Sequence, residues 1–67
     1  MKIGEVARQA GVSVDTLRFY EERGLISSQR TANGYRHYAP EILELVKYIK
    51  LAQGLGFTLA QIGENLP

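Results

Sequence analysis

The chain has no cysteine, no tryptophan and a single histidine, His37. Without cysteine there is no disulfide framework, thiolate zinc site, iron–sulfur cluster or thiol chemistry, and the composition is compatible with a reducing cytoplasm. One imidazole is too few for a histidine zinc site. A Ser/His/Asp triad also needs a substrate cleft, and 67 residues leave little material for its walls. Apolar runs reach only three or four residues, against the roughly 20 needed to span a bilayer. No charged start followed by an apolar stretch suggests a secretion signal. A soluble, cytoplasmic protein with no membrane contact, no metal and no cofactor is expected. Length is also scarce: one domain fits, burying about 60% of its unfolded surface, so stability should be marginal.

What is present is the balance of a folded chain, 45% hydrophobic and 22% charged. The net charge of +1 offers weak support for a polyanion partner until its distribution is considered. Lys2 and Arg8 offset Glu5 near the start; Arg18 and Arg23 are outnumbered by Asp15, Glu21 and Glu22; Lys47 and Lys50 are outnumbered by Glu41, Glu44 and Glu64. Between Gly24 and Tyr38, by contrast, stand Arg30 and Arg36 with no acid, beside Tyr35, His37 and Tyr38. The basic, aromatic segment is thus one expected loop.

Ile3, Val6, Ala7 and Ala10 recur at helical spacing, and Gly11 is a natural stop. Ser13 suits the next N-cap, Asp15 complements the dipole, and a second helix runs to about Arg23 with Val14, Leu17 and either Phe19 or Tyr20 inward. Asn33-Gly34 before Tyr35-Arg36-His37-Tyr38 signals a β-hairpin over residues 25–38, both turn positions tolerating positive φ. Pro40 suits a first helical position. Ile42, Leu45, Val46, Ile49 and Ala52 form the stripe of the longest helix, broken at Gly54 and Gly56. Phe57 is expected as a packing anchor, and Thr58 with Gln61 has capping-box spacing before a fourth helix ending near Leu66.

Ala7, Gly11 and Leu17 carry the functional pattern: a small residue for close helix approach, a glycine for the tight turn, a branched plug for the joint. That is a helix-turn-helix, whose second helix presents its N-terminal part to the DNA major groove. Exposed there are Ser13, Asp15, Thr16 and Arg18. Arg18 can donate two hydrogen bonds to guanine or clamp a phosphate, the bland reading being a solvated charge. Asp15 either accepts from cytosine or serves the helix dipole.

The blocks Lys2-Ile3-Gly4-Glu5-Val6-Ala7, Gly11-Val12-Ser13, Leu17-Arg18-Phe19-Tyr20-Glu21, Gly24-Leu25-Ile26, Arg30, Asn33-Gly34-Tyr35-Arg36 and Tyr38 resemble the N-terminal DNA-binding domain of the MerR family of bacterial transcription regulators. The resemblance covers the whole chain. It implies a mainly α winged helix-turn-helix, four helices plus one wing, divided into residues 1–23 (helix-turn-helix), 24–38 (wing) and 39–67 (supporting helix pair). It implies DNA contacts from Arg18 and Tyr20 and a backbone grip from Arg30, Tyr35 and Arg36, with Asn33 and Gly34 at the wing's tip. Asp15 departs from relatives that place a basic or polar reader there, and His37 is a variable position.

Bland readings stand beside these. Tyr20 is expected in the core with its hydroxyl still free to reach a phosphate, so that both readings can hold; Tyr35 is expected at DNA and Tyr38 in packing; His37, Lys47 and Lys50 are expected to be solvated. The implied partner is double-stranded promoter DNA, with RNA polymerase reached indirectly through the promoter. A homodimer is expected only for a longer parent chain carrying the family's coiled-coil helix and sensing region. The competing function is a small winged-helix adaptor, or an architectural factor assisting recombination. An enzyme is the least supported reading, because no paired carboxylates sit at a plausible catalytic spacing in a cleft, no phosphate-binding glycine loop precedes a helix, and a sizeable pocket is not expected.

Overall fold

A computed structural model describes residues 1–66; Pro67, the last residue of the expected 39–67 segment, lies outside the described residues. The first helix, α1, spans Ile3–Ala10 and buries Val6, Ala7 and Ala10. It stops at Gly11, whose φ of 72° is the left-handed conformation that a side chain disfavours. There the Val12 N–H reaches back to the Ala7 carbonyl at 3.0 Å, the bond that closes a glycine-terminated helix. Helix α2 spans Val14–Glu22, one residue shorter than expected, and Ser13 caps it by accepting from the Thr16 N–H at 3.0 Å.

The choice between Phe19 and Tyr20 falls to Tyr20. Leu17 and Tyr20 are three residues apart on one helix face and both are buried. Phe19 is 42% exposed, its ring 5.2 Å beneath the Arg23 guanidinium.

The wing is a hairpin, but its ladder is shorter than the expected 25–38. Strand β1 is Gln29–Arg30 and β2 is Arg36–His37, antiparallel, with Gln29 opposite His37 and Arg30 opposite Arg36. Leu25 and Ile26 instead enter the core. The turn also differs: Gly34 has φ of 82°, while Asn33 keeps a negative φ. The Gly34 N–H bonds to the Thr31 carbonyl at 2.9 Å and the Thr31 N–H to the Tyr35 carbonyl at 2.8 Å. This is a longer loop in which a turn is followed by a bulge glycine, so only Gly34 has to be left-handed. Met1 extends the wing's root: its amino group donates to the Tyr38 carbonyl, and the Tyr38 N–H donates back to the Met1 carbonyl, both at 2.7 Å.

Helix α3 spans Ile42–Gly54, starting two residues after Pro40. Pro40 and Glu41 form a tight lead-in, with Ile42 N–H on the Ala39 carbonyl and Leu43 N–H on the Pro40 carbonyl. Val46, Ile49 and Ala52 are buried and Ile42 and Leu45 half-buried, as the stripe requires. Phe57 is not an anchor: it is 53% exposed and joins Tyr48, Leu51 and Leu55 in an exposed apolar rim. Its contribution is the backbone N–H that closes α3 on the Ala52 carbonyl. Helix α4, Leu59–Glu64, opens with the expected capping box, Gln61 N–H on Thr58 Oγ1 and Thr58 N–H on Gln61 Oε1, and ends before Leu66.

All four helices, with Leu25, Ile26 and Tyr38, feed one core. Helix α3 packs on α1 and α4, and α1 on α2. Among the described residues every buried polar side-chain atom has a partner, and no helix is long and apolar enough to cross a membrane. Lys47 lies on the solvent side, 3.9 Å from Glu44. Lys50 is exposed as expected, and its ammonium also donates to the Gly11 carbonyl at 2.8 Å.

Candidate nucleic-acid interface

Helix α2 buries a narrow face, Leu17 and Tyr20, and leaves Asp15, Arg18, Phe19 and Glu22 exposed. Between α2 and the wing lies a concave face that brings together Arg18, Arg30, Gly34, Tyr35 and Arg36 from the expected set. Lys2, which the sequence reading did not place among the DNA contacts, joins them from the start of α1. Four cations, Lys2, Arg18, Arg30 and Arg36, thus meet two carboxylates, Glu21 and Glu22, in a chain whose net charge is only +1. Such a concentration focuses a positive field on a surface groove.

Ser13, Asp15 and Thr16 sit outside this concavity, at the N-terminal turn of α2. Ser13 and Thr16 are partly engaged with each other, their hydroxyls 2.9 Å apart. Asp15 is exposed in the first turn, where a carboxylate complements the helix dipole. Asn33 is exposed at the wing's tip.

Tyr20 has the core role expected for it. Its ring is 2% exposed and its hydroxyl donates to Gln53 Oε1 on α3 at 2.6 Å, so it braces α2 from behind. Burial raises its phenol above the ordinary value. Tyr35 and Tyr38, which flank β2, divide as expected in exposure: Tyr35 is 70% exposed, and Tyr38 is fully buried. His37 is exposed, each ring nitrogen 3.3 Å from the Met1 amino group. Arg30, in β1, donates across the hairpin loop to the Gly34 carbonyl at 3.1 Å.

The residue that sequence reasoning left without a role is Glu21. Its Oε1 accepts from the Tyr38 hydroxyl at 2.6 Å, and its Oε2 accepts from the Ser28 hydroxyl at 3.1 Å and lies 3.9 Å from Arg36 Nε. The Tyr38 hydrogen bond is the largest cause pulling this carboxyl below its ordinary value; burial opposes it, and Ser28, Arg36 and Arg30 add to the lowering. Reciprocally, Tyr38 is raised, first by burial and then by Glu21. Partners 7, 15 and 17 residues away leave no local spacing signal. Among the described residues no group of three or more His, Asp or Glu is placed to hold a metal.

Two short helices joined at a glycine turn, a hairpin beside the second, and a supporting helix pair define a winged helix-turn-helix domain. The MerR HTH family regulatory protein model matches residues 1–67, and the chain belongs to that family. It is 44% identical over 66 residues to the mercuric resistance operon regulatory protein of Bacillus cereus, an alignment covering 97% of this chain and 50% of that protein. The HTH-type transcriptional regulator ZntR of Escherichia coli is 41% identical over 66 residues, covering 97% of this chain and 47% of that protein. Among solved structures, the N-terminus of MtaN, the Bacillus subtilis multidrug transporter activator, superposes with a TM-score of 0.86 at 34% identity, covering 100% of this chain and 66% of that one. HiNmlR, a MerR family regulator lacking the sensor domain and bound to promoter DNA, shares the fold, with a TM-score of 0.84 at 24% identity over 96% of this chain and 52% of that one. The chain spans about half the length of the curated relatives it matches. It is a winged helix-turn-helix domain of that family.

Proposed function

We propose that the domain grips double-stranded promoter DNA with α2 in the major groove and the wing on the backbone. The observation that carries this reading is the gathering of Lys2, Arg18, Arg30 and Arg36 on one concave face between α2 and the wing. Arg18 is the base reader, its guanidinium able to donate twice to a guanine edge. Ser13, Asp15 and Thr16 flank it at the helix N-terminus, Asp15 modulating preference by accepting from cytosine or repelling a phosphate. Arg30, Tyr35 and Arg36 hold phosphates, with Asn33 and Gly34 as the close-approach tip. Tyr20 acts from the core, by keeping α2 in place.

In a longer parent chain two such domains would hold the halves of a palindromic promoter as a homodimer, and RNA polymerase would be affected through the DNA. The domain alone would hold one half-site, losing the effective concentration a second subunit supplies. The cytoplasm, where promoter DNA lies in bacteria, is the matching location. A winged-helix adaptor or recombination accessory factor is not favoured by the family to which the chain belongs.

The deciding experiment compares operator with scrambled duplex over a salt series. Arg18→Ala should lose discrimination by about 1–3 kcal/mol, whereas Arg36→Ala should weaken both duplexes alike and lower the salt slope by about 1. Arg18→Ala with wild-type selectivity would remove Arg18 as reader. Binding that ignores salt would favour an apolar protein contact.

A further inference from the structure

Glu21 presents a paradox of charge. A carboxylate beside Arg36 and on the same concave face as Arg18 and Arg30 repels the phosphates those cations are proposed to attract. Its value must therefore lie in geometry. The wing's own pairing does little to orient it: its ladder is two residue pairs long and all four strand residues are exposed, and, apart from Glu21, the Met1–Tyr38 backbone pair ties one side of its root. The carboxylate of Glu21, next to last in α2, reaches both sides of the wing's root. Ser28 lies immediately before β1 and Tyr38 immediately after β2, and each donates to a different oxygen of that one side chain.

We propose that Glu21 is a positioning residue that locks the wing to the recognition helix, fixing the span between the cation that reads the groove and those that grip the backbone. It acts through three groups. Tyr38, whose ring is fully buried, anchors the outgoing strand; Ser28 anchors the incoming one; Arg36 is steadied by the nearby carboxylate on its Nε side. The guanidinium's two terminal amino groups are then the part offered to a phosphate. The inference deepens the DNA-binding reading and rests on it for its functional half, while the lock itself is testable without DNA.

The test begins with amide relaxation of the free chain. In Glu21→Ala the α2 helix has no reason to fail, since alanine is a good helix former. The order parameters of residues 29–37 should fall from about 0.85 toward about 0.6 while the helices keep theirs. Tyr38→Phe, which leaves the buried ring and removes the 2.6 Å hydrogen bond, should loosen the wing in the same direction. Glu21→Gln still accepts from Tyr38 and should restore most of the order. A wing equally ordered in wild type, Glu21→Ala and Tyr38→Phe overturns the lock.

A random-sequence duplex at low salt then reads the functional half. Glu21→Ala should bind about tenfold more weakly, with a salt slope smaller by about 1–2, while α2 amides still shift on binding. If Glu21 acted only by charge, its removal would tighten binding, and that result overturns the proposal. Failure of the wild-type chain to bind any duplex would instead sink the DNA reading, with the relaxation data still deciding the lock.

Discussion

Lys50 donates from the middle of α3 to the backbone carbonyl of Gly11, 39 residues earlier, at 2.8 Å. The ammonium thereby meets the turn of the helix-turn-helix at the C-terminal end of α1, where carbonyls lack helical partners and the dipole favours a cation. Lys50→Met should cost about 0.5–1 kcal/mol, read as a lower urea midpoint at unchanged m. An unchanged midpoint would make Lys50 an ordinary solvated lysine.

Gly11→Ala should cost more, about 1–2 kcal/mol, because φ of 72° is unfavourable for any side chain. The added Cβ would sit 3.4 Å from Lys50 Nζ, the far end of a flexible chain that can move aside. Adding Lys50→Met to Gly11→Ala should therefore recover nothing. Recovery would show that crowding, and not the backbone, sets the cost.

Tyr20→Phe separates packing from DNA contact. Losing the 2.6 Å hydrogen bond to Gln53 should cost about 0.5–1.5 kcal/mol of stability. Duplex affinity, measured where both proteins are fully folded, should not change. A drop in affinity with a smaller salt slope would return the Tyr20 hydroxyl to the phosphate backbone.

Stability should depend on pH at both ends. The Glu21 carboxyl is lowered in the fold, so below the ordinary glutamate value, about 4.3, the unfolded chain binds more protons. Glu21's contribution is therefore complete above that value and is lost as pH falls through the depressed folded value. Tyr20 and Tyr38 are raised; their contribution is complete below about 10 and is lost as pH climbs through the raised folded values. Thermal melts from about pH 2 to 6 should show a shallower acid limb in Glu21→Gln than in wild type. Identical limbs would refute the assignment to Glu21.

Gly4→Ala should stabilise the domain. Gly4 lies in α1, and a Cβ there would meet nothing within 4 Å. Restricting the unfolded chain at such a site gives about 0.4–1 kcal/mol. A loss of stability would reveal a constraint on the start of α1 beyond local space.

What was legible in the sequence was whatever local physics decides. Ile3, Val6, Ala7 and Ala10 announced α1 by period alone, and Ser13 and the Thr58–Gln61 box announced their helix starts by side-chain reach. The face of α2 was ambiguous because two large aromatics, Phe19 and Tyr20, adjoin; the three-residue spacing from Leu17 turns Tyr20 inward, and α3 satisfies its hydroxyl with Gln53. Asn33-Gly34 signalled a turn, but loop length is set by where the strands pair, and that pairing places only Gly34 at positive φ. Phe57 was misjudged since hydrophobicity does not say whether a partner surface is present. At the interface, Arg18, Arg30, Tyr35 and Arg36 were visible as types in a pattern. Lys2 and Glu21 were not, because the concavity and the lock form only when distant segments meet.

The wing's residues divide into two groups with separate duties. Ser28 and Tyr38 fasten the root, while residues 31–35 of the tip are exposed and contribute nothing to the core. Substitutions at the tip, Gly34 apart, can thus accumulate at little cost to folding, so the strength of the proposed backbone grip can drift during divergence while the scaffold stays intact. The same division makes the tip a replaceable cartridge: loops exchanged between Arg30 and Arg36 should transplant between related domains, provided the fastening residues travel with the scaffold.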